Sequence, residues 1–396
     1  MMAGFLVSFV VLSIFTFLFG INALRGVSPR LWPKNKWWLV GIGWIAMYAI
    51  SYFWTDNKTY WGIGLQVKLP FLILPLAFPF LPRFNARQLQ TITLIMAVFL
   101  LMGAGYSISF LIRDPAYYIS QYRFSHLLPT PAEQDHVRFS LVIALFVIWS
   151  VYTWPVLLSK SVKWFVGISV GLLIVYIHIL AAKSGIVSLY LFLLAWGVYL
   201  LVVKRKLMGV IIVVAIPLSV IFALRYIPTF GERGGYMFFS YQMLKTGDKS
   251  GNYGDIGRLM SYDIAGKLIQ QHPLNGVGTG DMPTEMKKGY DQWYPAVDDH
   301  ARLIPHNQFL IVALGCGIPA ALLFILWVFM PLASIKRNRQ SFFFFVVWLI
   351  LFIQLMIEPI FEVQIGVFVY LFFLLLYRHE LPGADNAAET PAIATS

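Results

Sequence analysis

Apolar residues along this chain are gathered into long runs, and most polar residues lie in the segments between them. A helix needs about 20 apolar residues to cross the roughly 30 Å hydrocarbon core of a bilayer. We count eleven such runs, which are apolar on all sides, whereas barrel strands alternate over about 10 residues. They lie at residues 4–24, 38–55, 60–81, 91–112, 138–158, 162–182, 184–203, 207–225, 308–333, 341–357 and 361–377. The pattern predicts an all-α polytopic membrane protein with about 11–12 transmembrane helices.

The composition agrees with this class. Of the 396 residues, 59% are hydrophobic and 12% are charged, and the mean hydropathy is +0.72. These values exclude an ordinary soluble globular protein. Cys316 is the only cysteine and lies in a predicted span, so no intrachain disulfide can form and we expect a packed thiol. No P-loop pattern occurs, which argues against nucleotide hydrolysis.

Basic residues predict the orientation of the spans. Clusters at 25–36, 83–87, 160–163, 204–206 and 336–339 fall on one side, which is the cytoplasmic side by the positive-inside rule. The net charge of +12 is therefore a topology signal rather than a nucleic-acid signature. We predict four regions along the chain: about eight helices over 1–225, a large external loop containing helices over 226–305, about three helices over 306–380, and a disordered tail over 381–396.

The large external loop contains a predicted helix followed by a turn. Apolar residues recur at helical spacing from about 256 to 271, and the pattern ends at Pro273 and three glycines, Gly276, Gly278 and Gly280. No strand precedes these glycines, which argues against a dinucleotide site. We expect a tight turn that packs the loop back onto the membrane domain.

Two side chains, one in this loop and one directly after it, are candidates for chemistry. Arg258 is predicted in the first turn of the helix, where free N–H groups and a guanidinium together suit a phosphate or diphosphate. A solvated surface arginine is the alternative. His306 follows Pro305 at the external end of a span, where a neutral imidazole can act as general base for a hydroxyl. An interfacial histidine that merely satisfies a helix end is the alternative.

Three further cations are placed by the predicted topology. Arg138 opens the fifth span, Lys183 lies in the external hairpin after the sixth, and Lys68 falls inside the third, roughly 12 Å deep. A charge at that depth is a candidate functional group, although lysine can also snorkel to the interface. Arg138 and Lys183 singly suit head-group anchors. Together with Arg258 and His306 they reach one membrane face, which suits an anionic lipid with phosphates at the interface.

The acidic residues give only weak evidence for a metal site. Asp298, Asp299 and His300 have ligand-type side chains, but no second cluster with matching spacing accompanies them. We therefore expect cations of the protein, rather than a metal, to neutralise a diphosphate. Glu358 and Glu362 flank the short external turn "EPIFE", and we interpret them as the polarity of a hairpin.

Three segments resemble a known family in the same order along the chain. They are "AAKSGIVSLYLFLL", "GRLMSYDIAGKLIQQHPLNGVGTGDM" and "PHNQFLIVALGCGIPAALL". They are similar to the "SRG", "R…HP-x-x-G-x-G" and "HN-x-x-L…G" elements of the O-antigen ligase and Wzy polymerase superfamily of bacterial envelope glycosyltransferases. The resemblance covers about residues 181–325. One departure is that Lys183 stands where the family usually has arginine, which keeps the charge but not bidentate phosphate binding.

The resemblance implies a GT-C-like, metal-independent inverting glycosyltransferase without a cofactor, working at the periplasmic face of a Gram-negative inner membrane. Its donor would be a glycan on undecaprenyl diphosphate and its acceptor a sugar of lipid A-core. In that reaction His306 would be the base, and Arg258, Arg138, Lys183 and Lys68 would meet the diphosphate. An O-antigen polymerase or a protein O-oligosaccharyltransferase would share the donor. A lipid-glycan flippase is the alternative of another class, but it would need charges throughout its spans.

Overall fold

The structure, a computed structural model, describes residues 2–24, 36–131, 135–246, 254–336 and 338–381. These ranges contain seventeen α-helices and no strand. The helices are α1 (Met2–Val7), α2 (Phe9–Leu24), α3 (Lys36–Ile50), α4 (Lys58–Lys68), α5 (Pro70–Ala77), α6 (Ala86–Arg113), α7 (Pro115–Gln121), α8 (His136–Thr153), α9 (Lys160–Leu180), α10 (Lys183–Val198), α11 (Met208–Tyr226), α12 (Pro228–Thr246), α13 (Gly254–Gln271), α14 (Met282–Trp293), α15 (Gln308–Phe329), α16 (Arg339–Ile357) and α17 (Gln364–His379). The predicted tail at 381–396, apart from Leu381, and most of the basic cluster at 25–36 lie outside the described residues.

Eight helical stretches of the described chain are long and apolar enough to cross a membrane. They are Lys58–Phe80, Ala86–Arg113, His136–Val156, Lys160–Leu180, Lys183–Val203, Met208–Tyr226, Gln308–Ala333 and Arg339–Ile357. Each coincides with a predicted span. The chain is therefore an all-α polytopic membrane protein, as the hydrophobic pattern predicted.

The other three predicted spans form shorter helices. The run at 4–24 is interrupted at Ser8, whose hydroxyl accepts a hydrogen bond from the Val10 N–H at 3.2 Å. Serine competes for backbone hydrogen bonds in this way and so favours a break. The run at 38–55 forms α3, which has 15 residues, and the run at 361–377 forms α17, which has 16. Hydropathy alone overestimated the helical length of these three runs.

The chain divides into two compact units. The first comprises Met1–Leu12, Asn85–Leu259 and Ala296–Ala301, and the second comprises Ser13–Phe84, Met260–Pro295 and Arg302–Ser396. Both units are built from segments far apart in the sequence, and α2 and α13 are divided between them. The regions predicted from hydropathy describe order along the chain, and their boundaries stay a prediction.

The first unit is organised around α8, which is buried along almost its whole length. Its neighbours are α6, α9 and α10. Helices α8 and α10 cross closely because Gly185 lies against Ser140, where an added Cβ would be 2.5 Å from the serine Cβ. Small residues at such crossings let helix backbones approach in a membrane. This crossing holds the first turns of α8 and α10 together.

The second unit has an aromatic core between α3, α5, α15 and α17. The Trp37 and Trp327 rings stack at 5.1 Å, and the Trp37 indole N–H donates to the Trp327 carbonyl at 2.9 Å. Phe71 and Phe361 pack edge to face at 4.7 Å in the same core. Pairs of this geometry are favoured by the charge distribution of the rings. The core fixes the positions of α15 and of the turn that precedes α17.

Helix α15 is kinked, and the glycine-rich turn docks at the kink. Gly317 has a φ of 85° inside the helix, which leaves backbone groups near it without helical partners. The turn supplies them, since the Val277 N–H donates to the Leu314 carbonyl at 2.8 Å and the Gly278 N–H to the Gly315 carbonyl at 3.2 Å. Gly276, at a φ of 66°, leaves no room for a Cβ beside Leu314. The predicted packing of this turn onto the membrane domain is confirmed.

Candidate functional site

His306 stands immediately before the membrane-spanning helix α15. The next residue, Asn307, caps that helix, because its side-chain oxygen accepts from the N–H groups of Phe309 at 2.9 Å and Leu310 at 3.1 Å. An asparagine N-cap with extended backbone is a preferred helix start. The cap explains why the helix begins after His306 and leaves the imidazole on the entering segment rather than inside the span.

The His306 side chain lies between a carbonyl and a carboxylate. Its Nδ1 atom is 3.1 Å from the Ile304 carbonyl oxygen, and its Nε2 atom is 4.0 Å from the Glu358 Oε2. A carbonyl oxygen can only accept, so Nδ1 carries the hydrogen in this contact and Nε2 keeps a lone pair in the neutral ring. Both side chains are mostly buried, at 19% and 11% exposure. This arrangement suits a base that gains a proton at Nε2 beside a negative group.

Backbone contacts hold the segment that carries His306. The Tyr262 hydroxyl donates to the His306 carbonyl at 2.7 Å. The buried Tyr290 hydroxyl donates to the Leu303 carbonyl at 3.1 Å and accepts from the Leu303 N–H at 3.2 Å. The Asn307 amide donates to the Met356 carbonyl at 3.2 Å, close to Glu358 in the chain. These bonds fix the imidazole and the carboxylate relative to each other within the second unit.

Lys68 forms a buried ion pair in the same unit. Its ammonium is 3.2 Å from the Glu362 Oε2, 3.2 Å from the Phe361 carbonyl and 4.6 Å from the centre of the Tyr48 ring. The lysine side chain is 1% exposed, so it does not snorkel to the interface. Its charge is met by Glu362, which is the condition for keeping an ion in a protein interior.

Gln308 connects this ion pair to the start of α15. Its side-chain N–H donates to the Glu362 Oε1 at 3.0 Å, and its side-chain oxygen accepts from the Phe361 N–H at 2.8 Å. The residue is completely buried. A fully bonded polar group of this kind specifies one arrangement, because any other would leave a buried group unpaired. The network therefore fixes the turn before α17 against the residues that follow His306.

Arg138 and Lys183 lie in the first unit, at the adjoining N-termini of α8 and α10. The Ser184 hydroxyl donates to the Val137 carbonyl at 3.1 Å and lies 3.2 Å from the Ser140 hydroxyl. Arg138 is in the first turn of α8 and pairs with the cap residue Asp135, with 3.3 Å between Nη1 and Oδ2. Lys183 is the first residue of α10. Helix N-termini carry partial positive charge, so two of them beside two cations are consistent with the predicted binding of an anion, which stays a prediction.

Arg258 is half-buried on α13, within the residues of the first unit. The described helix already begins at Gly254, so Arg258 lies beyond the first turn in which we predicted it. Arg258 is thus one residue past the first described turn, and help from free N–H groups stays a prediction. Its guanidinium remains a candidate for diphosphate binding. Because Arg258 and His306 belong to different units, their meeting at one site stays a prediction.

The acidic residues of the loop form no metal centre in the structure's described ranges, where no group of three or more His, Cys, Asp or Glu side chains could hold an ion. A different polar cluster ties α13 to α14. Lys267 and Tyr294 both donate to the Asp263 Oδ2, at 2.6 and 2.9 Å. The hydrogen bond from Lys267, followed by that from Tyr294, lowers the pKa of Asp263. This carboxylate serves the packing of the loop.

A comparison with protein-family models gives a match over about half of the chain. The model described as O-Antigen ligase (Wzy_C) matches residues 137–325. Residues 137–325 belong to the O-antigen ligase family. This confirms the resemblance carried by the three motifs and extends it to α8. No curated protein matches the chain.

The O-antigen ligase region contains four of the five candidate residues, namely Arg138, Lys183, Arg258 and His306. Lys68 lies before it. Glu358 and Glu362 lie after it, and we had interpreted both only as hairpin polarity. The structure instead brings Glu358 to His306 and Glu362 to Lys68. The available signal was two carboxylates in one short turn between spans that are otherwise nearly free of charge.

Proposed function

We propose that this protein is an O-antigen ligase-type glycosyltransferase. In this proposal it moves a glycan from undecaprenyl diphosphate to a sugar hydroxyl of lipid A-core. The family match over residues 137–325 and the multi-pass helical fold support a membrane enzyme that acts on glycan lipids. The single observation that carries the chemical assignment is the imidazole of His306 held beside the carboxylate of Glu358.

His306 is the proposed general base. Its Nε2 takes the proton of the acceptor hydroxyl while that oxygen forms a bond to the anomeric carbon of the glycan. The bond between this carbon and the diphosphate oxygen breaks, and undecaprenyl diphosphate leaves with the electron pair. One in-line displacement inverts the anomeric configuration. Glu358 stabilises the imidazolium that forms, and general base catalysis of this kind contributes about 10²–10⁴-fold to a rate.

The departing diphosphate is stabilised by cations of the protein in this proposal. Arg138 and Lys183 supply two charges beside two helix N-termini, and Arg258 supplies a third. Charge-assisted hydrogen bonds aimed at a leaving group lower the barrier because they strengthen as its charge develops. Lys68 was also predicted as a diphosphate ligand. Since Glu362 already meets its charge, we propose that Lys68 positions the start of α15.

The proposed location is the inner membrane of a Gram-negative bacterium, with the site facing the periplasm. Basic clusters such as Lys204, Arg205 and Lys206 indicate that the span ends beside them are cytoplasmic. His306 and the N-terminus of α10 then face the opposite side, where a lipid-linked glycan presents its diphosphate. The reaction needs no nucleotide, because the diphosphate ester supplies the leaving group.

The test is transfer by purified protein in lipid nanodiscs. Undecaprenyl-diphosphate glycan is supplied with lipid A-core, with a second lipid-linked repeat, or with an acceptor protein, each in a separate reaction. Product on lipid A-core, with inverted linkage, is the expected result. Product only on the second repeat would make the protein a polymerase, and product only on protein would make it a protein O-oligosaccharyltransferase. Movement of the intact lipid across the membrane of sealed proteoliposomes, without transfer, would indicate a flippase.

A further inference from the structure

A cleft of about 680 Å³ opens in the second unit, between the turn after α3 and the glycine-rich turn before α14. Its size lies within the range of small-molecule binding sites. It is separate from the His306 and Lys68 contacts, none of whose side chains line it. Polar and aromatic side chains of its lining include Trp54, Asp56, Asn57, Asn275, Asp281 and Glu285.

The walls of the cleft are held in place before any ligand binds. The Asp281 carboxylate accepts from the Asp56 N–H at 2.7 Å and the Asn57 N–H at 2.9 Å. The hydroxyls of Ser51 and Thr279 are 2.8 Å apart in the buried layer beneath. Walls fixed in this way lose little freedom on binding, which favours affinity.

Close approach of the two turns depends on glycine. An added Cβ on Gly280 would be 2.3 Å from the Asn57 carbonyl oxygen, and one on Gly278 would be 2.7 Å from the Thr55 hydroxyl. Gly278 also has a φ of 92°, a backbone angle that residues other than glycine rarely adopt. The glycine-rich turn therefore does more than dock at the α15 kink, because its other side builds one wall of the cleft.

The charge of the lining argues against a phosphate ligand. Three carboxylates, Asp56, Asp281 and Glu285, face one lysine, Lys288, whose ammonium already pairs with Glu285 at 2.7 Å. The hydrogen bond with Glu285 raises the pKa of Lys288, so the lysine keeps its charge, and Glu285 lies beside it. A diphosphate would meet net negative charge here, which costs binding energy.

The remaining groups suit sugar hydroxyls. The Asp56 carboxylate accepts hydrogen bonds from sugar hydroxyls, and the Asn275 side-chain amide both accepts and donates them. The Trp54 side chain is 36% exposed and gives the cleft an aromatic surface against which a sugar ring can pack. We infer that this cleft binds uncharged or amino sugars of a glycan substrate, an inference that rests on the proposed function and names a saccharide subsite for it.

The cleft is joined to the element that follows His306. Val277 and Gly278 bond to the carbonyls of Leu314 and Gly315 on α15, while Val277 lines the cleft on its other side. A saccharide held here would lie in the same compact unit as the proposed base. It comes either from the lipid-linked donor or from the acceptor, and both sources have the same chemistry.

The inference is tested by binding, with the full-length protein in nanodiscs. Three probes are titrated by calorimetry: the saccharide released from the lipid-linked donor, the core saccharide released from lipid A, and inorganic diphosphate. The variants are Trp54→Ala and Thr284→Phe, which fills the cleft from an exposed position in its wall. The matched control is Phe53→Ala, an adjacent aromatic residue that is 80% exposed and does not line the cleft.

One of the two saccharides is expected to bind the wild type, and which one binds identifies its source. Trp54→Ala should raise the Kd of this saccharide about tenfold, since packing against an aromatic ring contributes roughly a factor of ten in affinity. Thr284→Phe should raise it as well, and Phe53→Ala should leave it unchanged. Equal binding by wild type, Trp54→Ala and Thr284→Phe, or no binding of either saccharide by the wild type, overturns the inference. So does diphosphate that competes with the saccharide.

The transfer assay separates this inference from the proposed function. If the wild type transfers glycan and the cleft variants keep its KM for both substrates, the saccharide subsite is wrong and the transferase stands. If the wild type transfers nothing but binds a saccharide in a manner that requires Trp54, the subsite stands and the proposed transfer is wrong.

Discussion

The Nε2 atom of His306 faces the Oε2 of Glu358 at 4.0 Å, while Nδ1 faces the Ile304 carbonyl at 3.1 Å. The two residues are 52 positions apart, at the start of one spanning helix and the end of another. A histidine whose tautomer is set by a hydrogen bond at Nδ1, which leaves Nε2 able to take a proton, is a recurring catalytic arrangement. On this pair rests the proposal that His306 is a catalytic base rather than an interfacial residue at a helix end.

Glu358→Gln should lower kcat for transfer by about 10-fold to 100-fold, because an amide no longer stabilises the imidazolium, although the base itself remains. KM for the donor should change little. Steady-state kinetics with purified protein measure both. Asp291→Asn, an exposed carboxylate paired with Arg302, is the matched control and should behave as wild type. Equal kcat in Glu358→Gln and Asp291→Asn contradicts the role of Glu358.

Lys68→Met should destabilise the protein by about 3–5 kcal/mol, because it leaves the buried carboxylate of Glu362 without its cation. The double variant Lys68→Met with Glu362→Gln should lose less than the sum of the two single variants. Thermal unfolding in detergent at one fixed pH measures the cycle. Additive losses would show that the two side chains do not depend on each other, contrary to the contact at 3.2 Å.

Lys183→Met should weaken use of the donor on the order of tenfold or more, since a charge-assisted bond to phosphate is lost. Lys183→Arg should retain activity, because the charge remains and a guanidinium can bind phosphate in bidentate fashion. The kcat/KM for the lipid-linked donor is the measurement. Lys160→Met is the control, because Lys160 begins α9 and Lys183 follows the opposite end of that helix. A Lys183→Met protein with wild-type kcat/KM would remove this residue from the diphosphate site.

Gly276→Ala should destabilise the protein by about 1–3 kcal/mol, since residue 276 has a positive φ and a Cβ would be 2.4 Å from the Leu314 carbonyl oxygen. Gly266→Ala on α13 is the matched control. No atom lies within 4 Å of the Cβ that it adds, and alanine favours a helix over glycine by about 0.5–1 kcal/mol. Its melting temperature should rise slightly while that of Gly276→Ala falls. The same change in both would contradict the docking of the turn.

Sequence patterns predicted the elements better than their partners. Runs of about 20 apolar residues located the long helices, and the helix predicted at 256–271 ends at Gln271, just before Pro273, as expected. The run at 38–55 did not form one long helix, because hydropathy does not register where α3 gives way to a 3-10 turn at Ser51–Phe53. Local signals of capping and turns are needed for such boundaries.

The candidate site was predictable only in part, because its contacts join distant residues. Lys68 was recognised as unusual from its depth, yet nothing near it in sequence indicates Glu362, 294 positions away. Glu358 and Glu362 lie in one short turn but have different partners, His306 and Lys68. Only the packing of the helices decides which carboxylate meets which partner. Charge and spacing identified the cations, whereas the carboxylates needed three-dimensional positions.

Single-turnover transfer by the His306→Ala protein tests most directly whether this imidazole is the base for glycan transfer. Undecaprenyl-diphosphate glycan is bound first, its affinity is measured, and lipid A-core is then added in excess. The predicted result is donor affinity close to wild type, with transfer slowed by about 10²–10⁴-fold. Arg258→Ala, by contrast, should weaken donor binding. Transfer at the wild-type rate by a folded His306→Ala protein would contradict the proposed mechanism.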